Sequence, residues 1–288
     1  MLEYWVGNCF THYSIIPSFQ PSKVGCALKR GEETKVPYWK GRFSLMVIAH
    51  RGFSGAAPEN TLAAFRKAID VGSDMIELDI QLSKDGKIVV IHDETLERAT
   101  NGQGRVVDRT LQELKKVDAG SRFRADFSGE RIPTLQEVLD LAKDRVLVNI
   151  EIKNPTHGQY PITELADKAL EEVKKAGMID RVIFSSFNPV SLEYIEKNEP
   201  RACAAFLYHR PWNSLPEITG ERRYQVLNLR NIHVTRRKID KIHKEGMKLN
   251  VYTVNKEEEL EQFVKWGVDG IITNYPDRLI RILKTKSS

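Results

Sequence analysis

Apolar and polar residues alternate strictly between positions 75 and 82. Glu77, Asp79 and Gln81 fall on one face of an extended segment, and Ile76, Leu78, Ile80 and Leu82 on the other. A second apolar run covers 88–91, and Lys84-Asp85-Gly86-Lys87 between them carries the Asp-Gly signal of a tight hairpin. Folding back about that turn brings His92 level with Leu78, so Glu77, Asp79 and His92 converge within one hairpin. The plain alternative is an antiparallel pair whose polar face is solvated.

Elsewhere the period switches between strand and helix. The run 46–50 (MVIAH) reads as a buried parallel strand. A glycine-containing loop follows, then a helix with Asn60 or Thr61 as its cap and Leu62, Phe65, Ala68 and Ile69 on one face. The stretch 94–133 is polar and rich in Arg, Asp and Gly. Apart from a short helix behind Thr110 it lacks periodicity, and it reads as a small insertion over one end of the main domain. Beyond it, helices at 134–143, 162–176, 189–197, 235–245 and 256–266 alternate with strands at 146–152, 182–187, 202–208, 225–229, 248–254 and 270–273. This alternation predicts an α/β protein with a parallel sheet.

About nine strand candidates compete for the eight places of a (β/α)8 TIM-type barrel. The link at 84–87 is too short for a parallel crossover. Either 88–91 runs antiparallel beside its predecessor, or a weak candidate such as 225–229 lies outside the barrel. A doubly wound open sheet is the runner-up, without a glycine-rich dinucleotide fingerprint to support it.

Composition narrows the function. A hydrophobic fraction of 41% supplies a sizeable core for 288 residues, and the +5 net charge is spread along the chain with no nucleic-acid motif. Cys9, Cys26 and Cys203 form no metal-spacing pattern, and an odd count argues against a full disulfide framework. With no signal peptide and no apolar run long enough for a membrane span, a reducing, cytoplasmic location is expected. Residues 1–45 stand apart: aromatic, proline-containing and without periodicity. They read as an N-terminal extension to a catalytic barrel at 46–288, either an ornament from an upstream start or a docking or oligomerisation arm.

In a barrel, the C-terminal strand ends carry the site. Three carboxylates there, Glu77, Asp79 and Glu151, suit a hard divalent cation such as Mg2+ or Ca2+. His50 and His92 offer a general acid and a general base, and Arg51 and Lys153 offer positive charge to an anion. Each residue alone has a structural explanation; together they describe metal-assisted displacement at phosphorus.

The ordered set His50-Arg51-Gly52, Pro58-Glu59-Asn60-Thr61, Glu77-Leu78-Asp79, His92-Asp93 and Glu151-Ile152-Lys153 closely resembles the glycerophosphodiester phosphodiesterases. The likeness continues through Ser185-Ser186-Phe187, Tyr252-Thr253-Val254-Asn255 and 269–276. It implies a (β/α)8 barrel that hydrolyses glycerophosphodiesters, small-molecule substrates, to sn-glycerol 3-phosphate and an alcohol with one divalent cation. By the same resemblance Glu77, Asp79 and Glu151 hold the metal, His50 and His92 form the acid–base pair, and Arg51 and Lys153 hold the phosphate. Phe187 and Tyr252 are candidates for the substrate pocket, and Trp212 for its rim. Two positions depart from the family: Tyr252 stands where tryptophan is common, and Asn274 where aspartate is common. A lysophospholipase D-like phospholipid phosphodiesterase and a catalytically silent, ligand-binding barrel are the competing expectations.

Overall fold

The computed structural model describes residues 45–154, 160–220 and 224–287. Apart from Leu45, the extension expected at 1–45 lies outside the described residues. β1 (Met46–Ala49) leads through α1 (Leu62–Asp70) to β2 (Met75–Leu82), and β3 (Ile88–Val90) returns beside it. Two helices, α2 (Leu111–Leu114) and α3 (Leu135–Ala142), precede β4 (Leu147–Ile152). The chain then alternates through α4 (Glu164–Ala176), β5 (Val182–Ser186), α5 (Pro189–Asn198), β6 (Cys203–Tyr208), α6 (Leu215–Thr219) and β7 (Val226–Arg230). It ends with α7 (Arg236–Lys244), β8 (Lys248–Tyr252), α8 (Glu257–Trp266), β9 (Gly270–Thr273) and α9 (Pro276–Ser287).

Eight of the strands are parallel and close into a barrel, with β9 pairing back onto β1 and β1 onto β2. The ninth candidate resolves as an antiparallel annex. Among the strands, β3 pairs with the end of β2, in the register Ile80 to Val90 and Leu82 to Ile88, and its Val89 also bridges to Thr134, while β7 takes its place in the ring between β6 and β8. β2 can host both neighbours because it is eight residues long. Its first residues pair with β1 and its last with β3.

Alternation along each strand divides its residues between two environments. The outward set Ile76, Leu78, Ile80 and Leu82 packs with Phe65 of α1 and Leu135, Val138 and Leu139 of α3. The inward set begins in a small core inside the barrel made of Met46, Ile48, Met75, Ile183, Cys203, Ala205, Val226 and Ile272. The polar face of β2 is therefore the barrel lumen and not a solvated surface: Glu77, Asp79 and Gln81 are all buried.

Local chemistry fixes the helix starts. Thr61 caps α1 by accepting from the Ala64 amide, and Thr110 and Thr134 each form a reciprocal capping box, with Glu113 and Glu137. Gly177, at φ 69°, closes α4 in the left-handed conformation that glycine adopts without strain. The segment after β3 folds over its own small core of Leu96, Val106, Leu114, Ala119 and Ile132, which packs on Val89 and Ile91. Trp212 does not reach a pocket rim. It is buried in the outer core, with the Lys238 ammonium 4.3 Å from its ring centroid.

Inside the barrel, the Asn250 amide donates to Asn228 Oδ1 at 2.9 Å. A Cβ at Gly270 would lie 2.2 Å from Asn250 Oδ1. Gly270→Ala is expected to destabilise the barrel by about 1–3 kcal/mol through overpacking. Urea unfolding of the variant checks this, and an unchanged midpoint would contradict it.

Candidate active site

The loop after β1 and the C-terminal ends of the strands build the mouth of the barrel. β1 ends at Ala49, and the chain turns sharply through Arg51 and Gly52, both left-handed with φ of 54° and 78°. A Cβ on Gly52 would come within 2.7 Å of the Ala64 backbone, so this turn lies directly against α1. The turn aims the Arg51 amide at β2, where it donates to Glu77 Oε2 at 2.8 Å. The Arg51 guanidinium reaches Glu59 Oε1 at 2.9 Å and Asp79 Oδ2 at 3.3 Å.

Glu77, Asp79 and Glu151 meet as expected from the sequence. Each offers an oxygen within 4.8 Å of the others, from adjacent strands in which Asp79 is the register partner of Glu151. The cluster is deep: Asp79 is 1% and Glu77 3% exposed. Burial, and then the charges of Asp79 and Glu151, push the Glu77 carboxyl well above its usual range. Burial acts on Asp79 in the same sense, but there Lys153 and Arg51 prevail and hold its carboxyl far below the usual range. The Lys153 ammonium bridges Asp79 at 3.0 Å and Glu151 at 2.6 Å. Burial alone would lower its pKa, and these two carboxylates instead raise it.

Both imidazoles are anchored through Nδ1. His50 meets Asn274 Oδ1 at 2.6 Å, and His92 meets Asp93 Oδ1 at 2.6 Å. Burial, reinforced by Arg51, lowers the His50 pKa to about 4 against opposing contributions from Asn274 and Asp79. The charges of both rings register at Asp79, which raises His50 and is itself lowered by His92. Across the mouth, the Phe187 ring stands edge-on to Tyr252 at 6.4 Å and to His209 at 5.3 Å. The Tyr252 hydroxyl donates to the Tyr208 carbonyl at 3.2 Å.

Several residues here carried no role in the sequence reading. Asn60 is not a helix cap. It adopts φ 56° and braces Asp79 twice, its amide donating to Asp79 Oδ2 at 2.8 Å and its carbonyl oxygen accepting from the Asp79 amide at 3.3 Å. Gln81 donates to the carbonyls of Ile91, His92 and Asp93 at 3.0, 3.1 and 2.7 Å, and so holds the chain on which His92 sits. Its place on the inward face of β2 was the available signal. Glu59 and Arg98 also join the site, and Arg98 is marked in the sequence only by its lying in the polar segment after His92.

The chemistry of the donor set fits a hard divalent cation. At full ionisation the three carboxylates outweigh Arg51 and Lys153 by one negative charge, which disfavours an anionic ligand. A divalent ion on the oxygens reverses that sign. Among the described residues this is the one cluster with three such donors in mutual reach.

Residues 50–278 match the model of the glycerophosphoryl diester phosphodiesterase family. A glycerophosphodiester phosphodiesterase of Caldanaerobacter subterraneus is 44% identical over 244 residues, spanning 83% of this chain and 98% of that protein. A phosphodiesterase of Oleispira antarctica, solved in complex with its product sn-glycerol-3-phosphate, superimposes with a TM-score of 0.77 at 30% identity, over 82% of this chain and 96% of its own. The glycerophosphodiester phosphodiesterase of Thermotoga maritima gives 0.67 at 31% identity over 84% and 99%. With the family motifs assembled at the mouth of the barrel, this chain belongs to the glycerophosphoryl diester phosphodiesterase family of enzymes.

Proposed function

We propose that this enzyme hydrolyses glycerophosphodiesters to sn-glycerol 3-phosphate and an alcohol, with Glu77, Asp79 and Glu151 holding one divalent cation, Mg2+ or Ca2+. The observation that carries this reading is the convergence of those three carboxylates with two imidazoles and two fixed cations at one barrel mouth. When bound, the cation supplies Lewis-acid stabilisation of charge on the phosphoryl oxygens.

The chain's own residues divide the remaining work. Arg51 and Lys153 offer the phosphate positive charge that rigid partners hold in advance, so little reorganisation is needed as negative charge grows in the transition state. His50 and His92 form the acid–base pair. Each ring is tied through Nδ1, which fixes its orientation and leaves Nε2 for the reacting groups. One takes a proton from the attacking nucleophile, either water or a substrate hydroxyl whose cyclic phosphate water then opens, and the other returns a proton to the departing alkoxide. Phe187 and Tyr252 form an apolar wall for the glycerol moiety. Tyrosine in place of tryptophan keeps an aromatic face, and its hydroxyl is tied back to Tyr208.

Release of sn-glycerol 3-phosphate from glycerophosphocholine tests the reading directly. Protein stripped of metal is expected to be inactive, and Mg2+ or Ca2+ to restore release. A folded protein with no activity under any cation would overturn it.

His50→Ala and His92→Ala are each expected to lower kcat by roughly 10²–10⁴-fold while far-ultraviolet circular dichroism stays unchanged. Turnover near the parent value in either variant would remove that residue from the acid–base pair.

Lys153→Met separates the two electrostatic tasks. Removing the ammonium from between Asp79 and Glu151 is expected to tighten Mg2+ binding by roughly tenfold, or about 1.4 kcal/mol, in calorimetric titration. It is also expected to lower kcat/KM by about 10²-fold. Weaker metal binding by the variant would contradict the counter-charge role.

A further inference from the structure

We propose that Arg98 is a positioning residue that sets both His92 and Arg51, acting through Asp93 and Glu59. The roles of those two side chains rest on the functional reading above; the network itself is geometric.

Arg98 donates to Glu59 through both terminal nitrogens, Nη1 to Oε2 at 2.8 Å and Nη2 to Oε1 at 2.6 Å, and its Nε donates to Asp93 Oδ2. Each carboxylate then passes the constraint inwards. Asp93 uses its other oxygen to receive His92 Nδ1 at 2.6 Å. Glu59 Oε1 also accepts from Arg51 Nη1 at 2.9 Å, and Arg51 Nε lies 3.3 Å from Asp79 Oδ2. One planar cation thus ties the loop after β1 to the chain after β3, and its two anions each end on a side chain of the site.

The shape of the group matters. A guanidinium presents donors in a rigid plane and can serve two carboxylates at once; an ammonium is a point charge and cannot hold that fork. Without Arg98, Asp93 is free to turn about its terminal torsion, and the ring it holds loses a fixed Nε2 direction. Glu59 likewise loses its second partner and constrains Arg51 less.

The arginine is half-exposed, with a side chain 49% accessible. Ion pairs so placed contribute little to stability. A bridge that only holds the fold would therefore change little in either folding or turnover when removed. A bridge that positions the site changes turnover and leaves folding nearly intact. Exposure also lets a small cation enter the cleft left by a truncated side chain.

The test uses the full chain with Mg2+ and glycerophosphocholine. Arg98→Ala is expected to lower kcat by roughly 30-fold or more, beyond the effect of a generic surface change, with the melting temperature nearly unmoved. Added guanidinium chloride at low millimolar concentration is expected to restore part of that loss, and Arg98→Lys to recover less than the guanidinium ion does. In an Asp93→Asn background, Arg98→Ala is expected to add clearly less loss in kcat than it does in the parent, because the path to His92 is already cut and only the path through Glu59 to Arg51 remains. A kcat within twofold of the parent, or losses that multiply independently in the double variant, overturns the proposal. A second readout does not depend on turnover. The His92 Nδ1 proton hydrogen-bonded to Asp93 is expected as a downfield proton resonance, absent in Asp93→Asn and broadened or shifted in Arg98→Ala. If the parent protein releases no product, the functional reading fails alone, and this resonance decides the positioning claim: an unaltered signal in Arg98→Ala overturns it.

Discussion

The mouth of this barrel is governed by the repulsion among three buried carboxylates. Two full charges 4.8 Å apart repel by about 3.5 kcal/mol at an effective dielectric near 20. Glu77, Asp79 and Glu151 make three such pairs in a place where water cannot screen them. Asp79 stays ionised because Arg51, Lys153 and the Asn60 amide surround it. Glu77 has a backbone amide and a more distant share of Arg51, and burial pushes it upward. The imbalance leaves the cluster short of one positive partner, which gives it affinity for a divalent cation. The same carboxylates keep Arg51 and Lys153 in place, so in the proposed function the groups that would receive the cation also hold the groups that would receive the phosphate.

The barrel grades its lumen to make this possible. Read from the first inward residue towards the mouth, β1 gives Met46, Ile48 and then His50, and β2 gives Met75, Glu77 and Asp79. β4 gives Leu147, Asn149 and Glu151; β5 gives Ile183, Ser185 and Phe187; β7 gives Val226, Asn228 and Arg230. Apolar side chains close the bottom; in the middle Asn149, Ser185 and Asn228 place neutral dipoles in the same layer as Ile48 and Glu77; His50, Asp79, Glu151 and Arg230 stand at the C-terminal ends, with Phe187 among them. Dipoles placed beneath the charged layer soften the dielectric step that a purely apolar floor would impose on Asp79 and Glu151. The one strand outside the ring serves the site as well, because β3 continues the edge of β2 and delivers His92 beside the carboxylates.

This grading explains what was legible in the sequence. Strand alternation and position at a strand end bring Glu77, Asp79 and Glu151 into one cluster, as the structure has them, and put His50 directly after β1. The surplus of strand candidates was seen, and pairing removed the ambiguity. The burial of Glu77, Asp79 and Gln81 was not legible, since alternation does not distinguish a solvated face from a barrel lumen. Nor were the groups that hold the site. Asn60 looks like a helix cap because caps and carboxylate braces use the same amide. Gln81 looks like one more polar strand residue, and Arg98 lies in a segment with no period at all. Apart from Asp93, five positions before Arg98, their partners stand 10 to 39 positions away, a separation at which local pattern carries no information.

The two imidazoles illustrate how much depends on such partners. Both are held through Nδ1 at the same distance, yet His50 faces a neutral amide and His92 a carboxylate. An amide fixes ring direction without adding charge, and in a buried site beside Arg51 it leaves the neutral ring strongly favoured. A carboxylate fixes direction and brings a charge of its own, which Arg98 balances at the half-exposed rim. Asn274, where the resemblance to the family would put aspartate, therefore leaves the His50 anchor uncharged. The arrangement keeps each anchor electrostatically closed. His50 is held by a dipole that asks for no counter-charge, and His92 by an ion whose counter-charge also steadies Arg51.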